Sequence, residues 1–338
     1  METYIITIDG GTTNTRCILW DSAGKRADEA CRAVGVRNTA IDGNNQRLKQ
    51  AVRECLAELT EEKGISWEQI RRVIASGMIT SDVGLVEVPH LTAPAGLLEL
   101  AASIVKKDLK ELCPIPIFFI PGIKNAAGEL SLDNYEAMDI MRGEETESIP
   151  VIEKYHGGLP MMIVLPGSHN KFVSVDAEKR ITGCLTSLSG ELLSSITNDT
   201  ILAQAVGRKF LDKKDYDREW ILAGYRNARK TGLGRACFSA RILFLFKERS
   251  VEKIQNYILG AVLAQDVTAV LHSDAVRADR NMVAVVCGKN PLRQALVDIL
   301  EQEAVFKKVK TFVPDAQMPV SALGAFMIAE KSMWRKES

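Results

Sequence analysis

Residues 9–16 of the chain read Asp9-Gly10-Gly11-Thr12-Thr13-Asn14-Thr15-Arg16, and this stretch interrupts a run of strand-forming residues. Mostly β-branched or aromatic residues precede it at 3–8, and largely apolar residues follow it up to position 20, which predicts a strand on each side. Glycines let backbone N–H groups approach an anion closely, and hydroxyl and amide side chains add neutral donors. The stretch therefore predicts a phosphate-binding turn made by Gly10, Gly11, Thr12, Thr13 and Asn14.

The residues around this turn narrow its type. No Gly-Lys-Ser or Gly-Lys-Thr follows the glycines, and the predicted element after them is a strand, which excludes a P-loop. The three spaced glycines of a dinucleotide-binding fingerprint are missing as well. Asp9, at the end of the first strand, is placed to hold a hydrated Mg²⁺ ion. An ordinary hairpin is the alternative, because Asp-Gly and Gly-Gly are common in turns.

Composition limits the classes of function. The 338 residues are enough for two domains, and 46% apolar with 25% charged residues is typical of globular proteins. Lysine plus arginine equals aspartate plus glutamate at 43 each, so no overall field favours nucleic acid or a membrane surface. Seven cysteines without a Cys-x-x-Cys pair, and a first strand that leaves no room for a signal peptide, favour the cytoplasm. Four dispersed histidines argue against a zinc site.

The order of elements predicts an α/β fold with a sheet that begins antiparallel and continues parallel. In the first half, strands are predicted over 3–8, 15–20, 28–35, 71–76 and 115–120, and helices over 44–63 and 97–110. In the second half, strands are predicted over 161–165, 172–175 and 282–287, and helices over 256–271 and 292–303, with a last helix opening at 321. Apolar helical faces in this half could serve a homodimer as readily as a core.

The second half repeats the form of the first. Pro166-Gly167-Ser168-His169-Asn170-Lys171 again forms a glycine and hydroxyl turn between two apolar strands. Two such turns imply a nucleotide cleft between two domains. Proline and the Gly157-Gly158 pair make 150–160 the best linker candidate. We therefore predict an N-terminal domain over 1–150, a nucleotide-binding domain over 151–320 and a C-terminal helix near the hinge over 321–338.

Met141-Arg142-Gly143-Glu144-Glu145-Thr146-Glu147 is predicted to open a helix. Glutamates in a first turn favour the helix dipole, which alone would explain Glu145 or Glu147. It explains Arg142-Gly143 less well, because glycine weakens a helix start and indicates close approach of a ligand. A planar guanidinium at Arg142 would suit a carboxylate or a phosphoryl group.

These motifs together resemble the 2-dehydro-3-deoxygalactonokinase family, which belongs to the acetate and sugar kinase, heat-shock ATPase and actin superfamily. The resemblance rests on Met141–Thr146, Ser76-Gly77-Met78-Ile79, the turn at 166–171 and Ser189-Gly190-Glu191-Leu192, in the family's order. Members phosphorylate 2-keto-3-deoxy-galactonate on its 6-hydroxyl with ATP. The family often has a tryptophan where Gly10 stands here, and residues 205–245 match weakly.

The resemblance implies two ribonuclease-H-like domains, with mixed sheets flanked by helices, around a nucleotide cleft. It makes Glu144 the base that accepts the substrate proton, with Glu145 the runner-up and Asp9 holding Mg²⁺ through water. It places Arg16, Met78 and Arg142 at the substrate, whose carboxylate Arg142 or Arg16 would bind. The nucleotide would contact the first turn, Gly167, Ser168, His169, Asn170, Lys171, Gly288, Lys289 and Asn290.

Two of these roles have structural alternatives. Asn290 and Pro291 would also serve as the cap and first residue of a helix. His169 would fix its turn by hydrogen bonds as readily as it would contact a ligand. For the whole chain, the alternatives are a kinase for another keto-deoxy acid or sugar, and a catalytically silent nucleotide-dependent sensor.

Overall fold

The computed structural model describes residues 2–313 and 319–334, and its first sheet has the strand order β3-β2-β1-β4-β7-β6. Strands β1 to β3 pair antiparallel, β4 and β7 continue parallel to β1, and β6 closes the edge antiparallel. The strands of this sheet are β1 (Tyr4–Gly10), β2 (Thr15–Trp20), β3 (Arg26–Arg32), β4 (Ile70–Gly77), β6 (Val105–Lys107) and β7 (Ile117–Phe119). The central strand β1 is largely buried from Ile5 to Ile8 because both faces of the sheet are covered.

The second sheet repeats this topology, with the order β12-β11-β10-β13-β14. Its first three strands pair antiparallel and its last two run parallel to β10. These strands are β10 (Met161–Leu165), β11 (Asn170–Val175), β12 (Ile181–Ser187), β13 (Val283–Val286) and β14 (Lys308–Thr311). Three two-residue strands, β5 (Leu91–Thr92), β8 (Ile123–Lys124) and β9 (Ile140–Met141), form a small third sheet. The two larger sheets have the order of two ribonuclease-H-like domains, as predicted.

Helices cover these sheets and join them. They are α1 (Val36–Asp42), α2 (Gln46–Leu59), α3 (Leu97–Ala102), α4 (Glu144–Tyr155), α5 (Ser189–Asp199), α6 (Arg218–Thr231), α7 (Leu233–Phe246), α8 (Val251–His272), α9 (Leu292–Glu303) and α10 (Val320–Trp334). Helix α10 returns to the first sheet, where it packs on α3, α4, β1 and β4. Phe326 of α10 stacks on the buried Trp20, with ring centroids 5.0 Å apart.

Helix α8 is long and apolar enough to cross a membrane by length and composition alone. Of its most apolar 18-residue window, 72% is buried inside the molecule, against α6, α7 and α5. It is a core helix of the second half of the chain, which explains why most of its sequence is apolar.

The structure corrects several predicted elements. Pro150 lies inside α4, so the linker predicted over 150–160 is wrong for residues 150–155, and only 156–160 lie between α4 and β10. Pro150 is the seventh residue of α4, where it removes one intrahelical hydrogen bond without ending the helix, which packs along α10. The helix predicted over 97–110 ends at Ala102, and β6 follows it. Helix α4 crosses the domain limit predicted at residue 150, and the three predicted domain ranges stay predictions.

Candidate functional site

Three glycines bring the ends of β1 and β4 and the start of α4 together. A Cβ atom on Gly77 would lie 2.8 Å from the carbonyl oxygen of Gly10 and 3.2 Å from Oδ1 of Asp9. A Cβ atom on Gly143, the residue before α4, would lie 3.4 Å from Cα of Gly77. Gly77 and Gly143 have φ angles of 84° and 115°, which residues with a side chain rarely adopt. This close backbone contact places Asp9 and the first glutamates of α4 at one point between the sheets.

Asp9 lies in a cavity of about 320 Å³ between the two sheets, here called the acidic cavity. Its Oδ2 accepts a hydrogen bond of 2.7 Å from Oγ of Ser321 at the start of α10. Burial raises the pKa of Asp9, and the hydrogen bond from Ser321 offsets part of that effect. The cavity is lined by Asp9, Arg16, Glu147, Val151, Leu165, Pro166, Cys287, Gly288, Phe312, Pro319, Val320 and Ser321.

Glu147 provides a second carboxylate in the acidic cavity. From the sequence it was predicted only to stabilise the start of a helix. Burial raises its pKa to about 8, and the charges of Glu144 and Asp9 raise it as well. Two carboxylates that repel each other in a half-buried cavity are a suitable place for a cation. The signal available in the sequence was the spacing, since Glu147 lies three residues after Glu144, on the next turn of the helix.

The donor set fits magnesium rather than a soft metal. Carboxylate oxygens are hard ligands, and Mg²⁺ is usually held by one or two of them together with water and phosphate. Within residues 2–313 and 319–334, no group of three or more His, Cys, Asp or Glu side chains could enclose a metal by itself. Asp9 and Glu147 would therefore share an ion with a ligand that brings its own oxygens.

Glu144 begins α4 with a carboxylate that stays 29% exposed. Its Oε2 accepts a hydrogen bond of 3.0 Å from the backbone N–H of Arg142, which fixes the direction of the carboxylate. Its Oε1 lies 4.0 Å from Nζ of Lys171, the last residue of the second turn. The glutamate of the first half thus meets a cation of the second half, and this carboxylate remains accessible from the cleft.

Glu145 is fully buried, unlike Glu144. Its Oε2 accepts a hydrogen bond of 2.7 Å from the backbone N–H of Gly143, and its Oε1 has no partner in the described part of the chain. Burial raises the pKa of Glu145 to about 8, helped by the nearby charge of Glu144. Glu145 thus supports the strained Gly143 from inside the protein and has no surface for a substrate.

The guanidinium of Arg142 is bound to protein groups. Its Nη1 donates to the carbonyl oxygen and the hydroxyl of Thr80, at 2.7 and 2.6 Å. Its Nη2 donates to the carbonyl oxygen of Val88 at 3.0 Å and meets Nδ1 of His90 at 3.2 Å. Burial and the charge of Arg142 lower the pKa of His90 to about 4, so this histidine is neutral near pH 7. In this conformation Arg142 holds segment 80–90 against the start of α4.

The first turn presents its polar residues to solvent. Thr12, Thr13 and Asn14 are exposed, and the turn is closed by a hydrogen bond of 2.9 Å from the N–H of Gly11 to the carbonyl oxygen of Asn14. Gly10 itself is buried, because Ile79 packs where a side chain at position 10 would stand, 2.4 Å from the ideal Cβ. The residues predicted to bind phosphate are therefore open to a ligand.

Arg16 and Met78 lie on either side of this region. Arg16 on β2 is paired with Asp9 across the strands and lines the acidic cavity, with its Nε 3.1 Å from Oε1 of Glu29. Met78 begins a 3₁₀ turn directly after Gly77 and accepts backbone and hydroxyl hydrogen bonds from Ser81. Arg16 thus lies beside Asp9 and Met78 beside Gly77, and the substrate role of both stays a prediction.

The second turn is held rigidly from behind. Asn170 is fully buried, where its Oδ1 accepts a hydrogen bond of 2.9 Å from the N–H of Gly167 and its Nδ2 donates to Asp266 at 2.7 Å. The other oxygen of Asp266 accepts short hydrogen bonds from Ser187 and Ser189. Asn170 thus shapes the turn and does not face a ligand. Asp266 was missed, although an acid in the middle of the apolar sequence of α8 indicates a buried charge with fixed partners.

The other residues of this turn differ in exposure. Gly167 and Ser168 are exposed, and a Cβ atom on Gly190 of α5 would lie 2.3 Å from the carbonyl oxygen of Gly167. His169 is exposed and its Nε2 lies 2.8 Å from Oε1 of Glu191, so its contact in the structure fixes the turn. Lys171 is buried, and its Nζ donates to the carbonyl oxygen of Ile140 at 2.8 Å and to Thr186.

A second cavity of about 280 Å³ lies on the other side of this turn, and we call it the apolar cavity. It is lined by Gly167, Ser168, Gly190, Leu193, Thr197, Val206, Lys209, Phe210, Leu211, Gln255, Ile258, Leu259, Pro291 and Leu292. The turn at 166–171 therefore separates the two cavities, with Pro166 in the acidic cavity and Gly167 and Ser168 in the apolar one. Mostly apolar walls with a few fixed polar groups are typical of a small-molecule site.

The turn after β13 approaches the same place. Gly288 lines the acidic cavity, and its ideal Cβ would lie 2.7 Å from Cγ of Pro166. Lys289 and Asn290 are exposed, while Pro291 lines the apolar cavity. The interpretation of Asn290 as a helix cap is wrong, because Pro291 precedes the first helical residue and no side chain caps α9.

Comparisons with known proteins identify the family. A family model described as 2-keto-3-deoxy-galactonokinase matches residues 9–317. The chain is 24% identical to the 2-dehydro-3-deoxygalactonokinase of Escherichia coli (strain K12) over 282 residues, which cover 82% of this chain and 85% of that protein. It is 30% identical over 208 residues to DgoK1 of Rhizobium meliloti (strain 1021), proposed to be a 2-dehydro-3-deoxygalactonokinase, with 60% of this chain and 59% of DgoK1 covered.

A solved structure shares the fold over the whole length. The crystal structure of a protein from Sinorhizobium meliloti, proposed to be a 2-dehydro-3-deoxygalactonokinase, superposes with a TM-score of 0.71 at 19% sequence identity. The match covers 98% of this chain and 97% of that protein. At this identity the likeness concerns the fold.

Proposed function

We propose a reaction for this chain, which belongs to the 2-keto-3-deoxy-galactonokinase family and is a sugar-acid kinase, a phosphotransferase that acts on an alcohol group. In this reaction the chain transfers the γ-phosphoryl group of ATP to the 6-hydroxyl of 2-dehydro-3-deoxy-D-galactonate. One observation supports this most. The partly exposed carboxylate of Glu144 follows Gly143, whose close contact with Gly77 brings the start of α4 to Asp9, and its Oε1 lies 4.0 Å from Nζ of Lys171 in the second turn.

The phosphate chain of ATP would run from the apolar cavity past the second turn into the acidic cavity. Gly167 and Ser168 line the first of these cavities, and Pro166 and Gly288 line the second. Backbone N–H groups of both glycine turns would fix the phosphates without moving during the reaction. Arg16 lines the acidic cavity beside Asp9, and this position favours a phosphate oxygen as its partner over the substrate carboxylate.

Glu144 is the proposed base, and Glu145 is not. Glu144 Oε1 would accept the proton of the 6-hydroxyl while the hydroxyl oxygen forms a bond to the γ-phosphorus and the bond to the bridging oxygen breaks, which releases ADP. The hydrogen bond from Arg142 N–H orients the carboxylate, and Lys171 at 4.0 Å offsets its charge from the other side. The guanidinium of Arg142 would act by holding segment 80–90 in place.

Asp9 and Glu147 are the proposed magnesium ligands, through water. Mg²⁺ would supply positive charge to the β- and γ-phosphate oxygens as negative charge moves onto ADP. Ser321 fixes one oxygen of Asp9, which leaves Oδ1 for the water shell. Closure around the substrate would exclude bulk water from the reacting groups, so that the phosphoryl group passes to the sugar acid rather than to water.

Replacing Glu144 by glutamine tests the proposed base. The amide oxygen can still accept the hydrogen bond from Arg142, but the side chain can no longer take a proton, so we expect the turnover number to fall about 10²- to 10⁴-fold. The dissociation constant of ATP, measured by calorimetry, should change less than about threefold, because Glu144 does not line the apolar cavity. Glu153→Gln is the control, since Glu153 lies on the same helix but forms a surface ion pair with Lys179. Near-normal turnover in Glu144→Gln would remove this residue as the base.

A further inference from the structure

Gln255 of α8 stands out in the apolar cavity because it is a polar residue with only 9% of its surface exposed. Its Nε2 donates to two backbone carbonyl oxygens, of Val206 at 2.8 Å and of Lys209 at 3.0 Å. Both acceptors belong to the segment that forms one wall of the cavity. The side chain is therefore held in one place by two hydrogen bonds.

These two bonds also decide which end of the amide faces which way. Carbonyl oxygens only accept hydrogen bonds, so the group between Val206 and Lys209 has to be the NH₂ group. The carbonyl oxygen Oε1 has no hydrogen-bond partner in the described part of the chain. Unlike the fully buried side-chain atoms that lack a partner, Oε1 is still reached by solvent. Gln255 lines the apolar cavity, so its Oε1 provides an acceptor at the cavity whose direction cannot be reversed by an amide flip.

We propose that Oε1 of Gln255 accepts a hydrogen bond from the exocyclic amino group of adenine and so selects ATP over nucleotides with a carbonyl at that position. The inference rests on the proposed function, in which the nucleoside of ATP occupies the apolar cavity. Adenine offers a donor at its 6-position, whereas hypoxanthine and guanine offer an acceptor there, which would face Oε1 and repel it. Purine without a 6-substituent would leave Oε1 unpaired in a largely apolar site.

A purely structural role for Gln255 makes a different prediction. If the residue only anchors Val206 and Lys209, its loss loosens the cavity wall and weakens all nucleotides by a similar factor. If Oε1 contacts the base, its loss weakens ATP alone, and nucleotides without the amino group lose little or gain. The ratio of two affinities in one variant therefore separates the two roles, because a change in the wall cancels in the ratio.

The experiment measures dissociation constants of ATP, inosine triphosphate and purine riboside triphosphate with Mg²⁺, for the full chain and for Gln255→Met. We expect the wild type to bind ATP about 10- to 100-fold more tightly than either analogue, and the variant to bind all three within about threefold of one another. Gln204→Met is the control, because Gln204 is exposed on the same segment, and it should keep the wild-type ratio.

The outcomes are distinguishable from failure of the proposed function. If the wild type binds no ATP, the proposed function fails and the inference with it. If ATP binds but the wild type does not distinguish it from purine riboside triphosphate, the inference is wrong while the kinase proposal stands. This second result needs no variant, so the test remains decisive even if Gln255→Met does not fold. A variant that keeps the wild-type ratio at lower overall affinity would also overturn the inference and leave Gln255 as a wall anchor.

Discussion

Replacing Glu145 by glutamine should stabilise the protein at alkaline pH. Glu145 is fully exposed to water when the chain unfolds, but in the fold it is buried with one oxygen unpartnered and its pKa is about 8 instead of 4.5. Between pH 4.5 and about pH 8, Glu145 keeps its proton in the folded state but has lost it in the unfolded state, so the free energy of unfolding falls as the pH rises. Glutamine does not titrate and therefore removes this loss.

The size of the effect follows from the same two values. A difference from 4.5 to about 8 corresponds to at most about 5 kcal/mol, and relaxation or water entry reduces it. We expect Glu145→Gln to be close to neutral at pH 5 and more stable than the wild type by about 2–4 kcal/mol at pH 9. The oxygen that accepts from Gly143 is retained in the amide, so the start of α4 should keep its geometry.

Urea unfolding at pH 5, 7 and 9 measures this difference, with Glu153→Gln as the exposed control on the same helix, expected to be flat across pH. A stability difference for Glu145→Gln that is the same at pH 5 and pH 9 would refute the reasoning, since it would mean that Glu145 titrates alike in both states. The variant should also retain most of its kinase turnover. Loss of turnover in a stable Glu145→Gln would instead make Glu145 the base.

Two further predictions concern the cleft and the helix that supports it. Glu147→Gln and Asp9→Asn should each raise the Mg²⁺ concentration needed for half-maximal activity by about tenfold or more, and an unchanged Mg²⁺ titration in either variant would count against that ligand. In the wild type this concentration should fall as the pH rises towards 8, because the pKa of Glu147 is about 8 and a cation favours the ionised carboxylate. Gly324→Ala should lower stability by about 1–3 kcal/mol in thermal or urea unfolding, because its Cβ would lie 1.8 Å from a backbone oxygen of α4 and force α4 and α10 apart. Gly234→Ala is the control, because the new Cβ would meet nothing within 4 Å at this exposed helix position, and it should be neutral or stabilising. An equal loss of stability in Gly324→Ala and Gly234→Ala would reject the close crossing of α4 and α10.

Much of the fold could be predicted because it depends on local sequence. The strands around residues 9–16 and 166–171 are apolar runs interrupted by glycine turns, and the repeated pattern indicated the two similar sheets. Strands β12 and β14 and helix α5 were not predicted, since their sequences alternate weakly and depend on neighbours for burial. Pro150 shows the converse, a strong local breaker that is tolerated two turns into a helix.

The candidate site was predictable only where a backbone feature marked it. Glycine at 143 indicated close approach of a ligand, the contact of Gly143 with Gly77 agrees with a close approach there, and the family resemblance then pointed to Glu144. The partners of side chains were not predictable, because they come from distant segments. Arg142 is occupied by segment 80–90, Lys171 reaches Glu144 from the other sheet, and Gln255 meets the cavity wall some 50 residues earlier in the chain. These contacts depend on tertiary packing, which no spacing rule encodes.

The most direct test of the central claim is ADP release by the purified full-length chain with Mg²⁺ and ATP. The acceptors are 2-keto-3-deoxy-galactonate, its gluconate epimer and simple hexoses, with Glu144→Gln as the inactive control. Strong turnover with the galactonate compound, absent in Glu144→Gln, is the predicted result. Turnover only with another acid or sugar would keep the chemistry and reject the substrate. No ADP with any acceptor, despite measurable ATP binding, would contradict the proposed kinase activity and favour a nucleotide-dependent sensor.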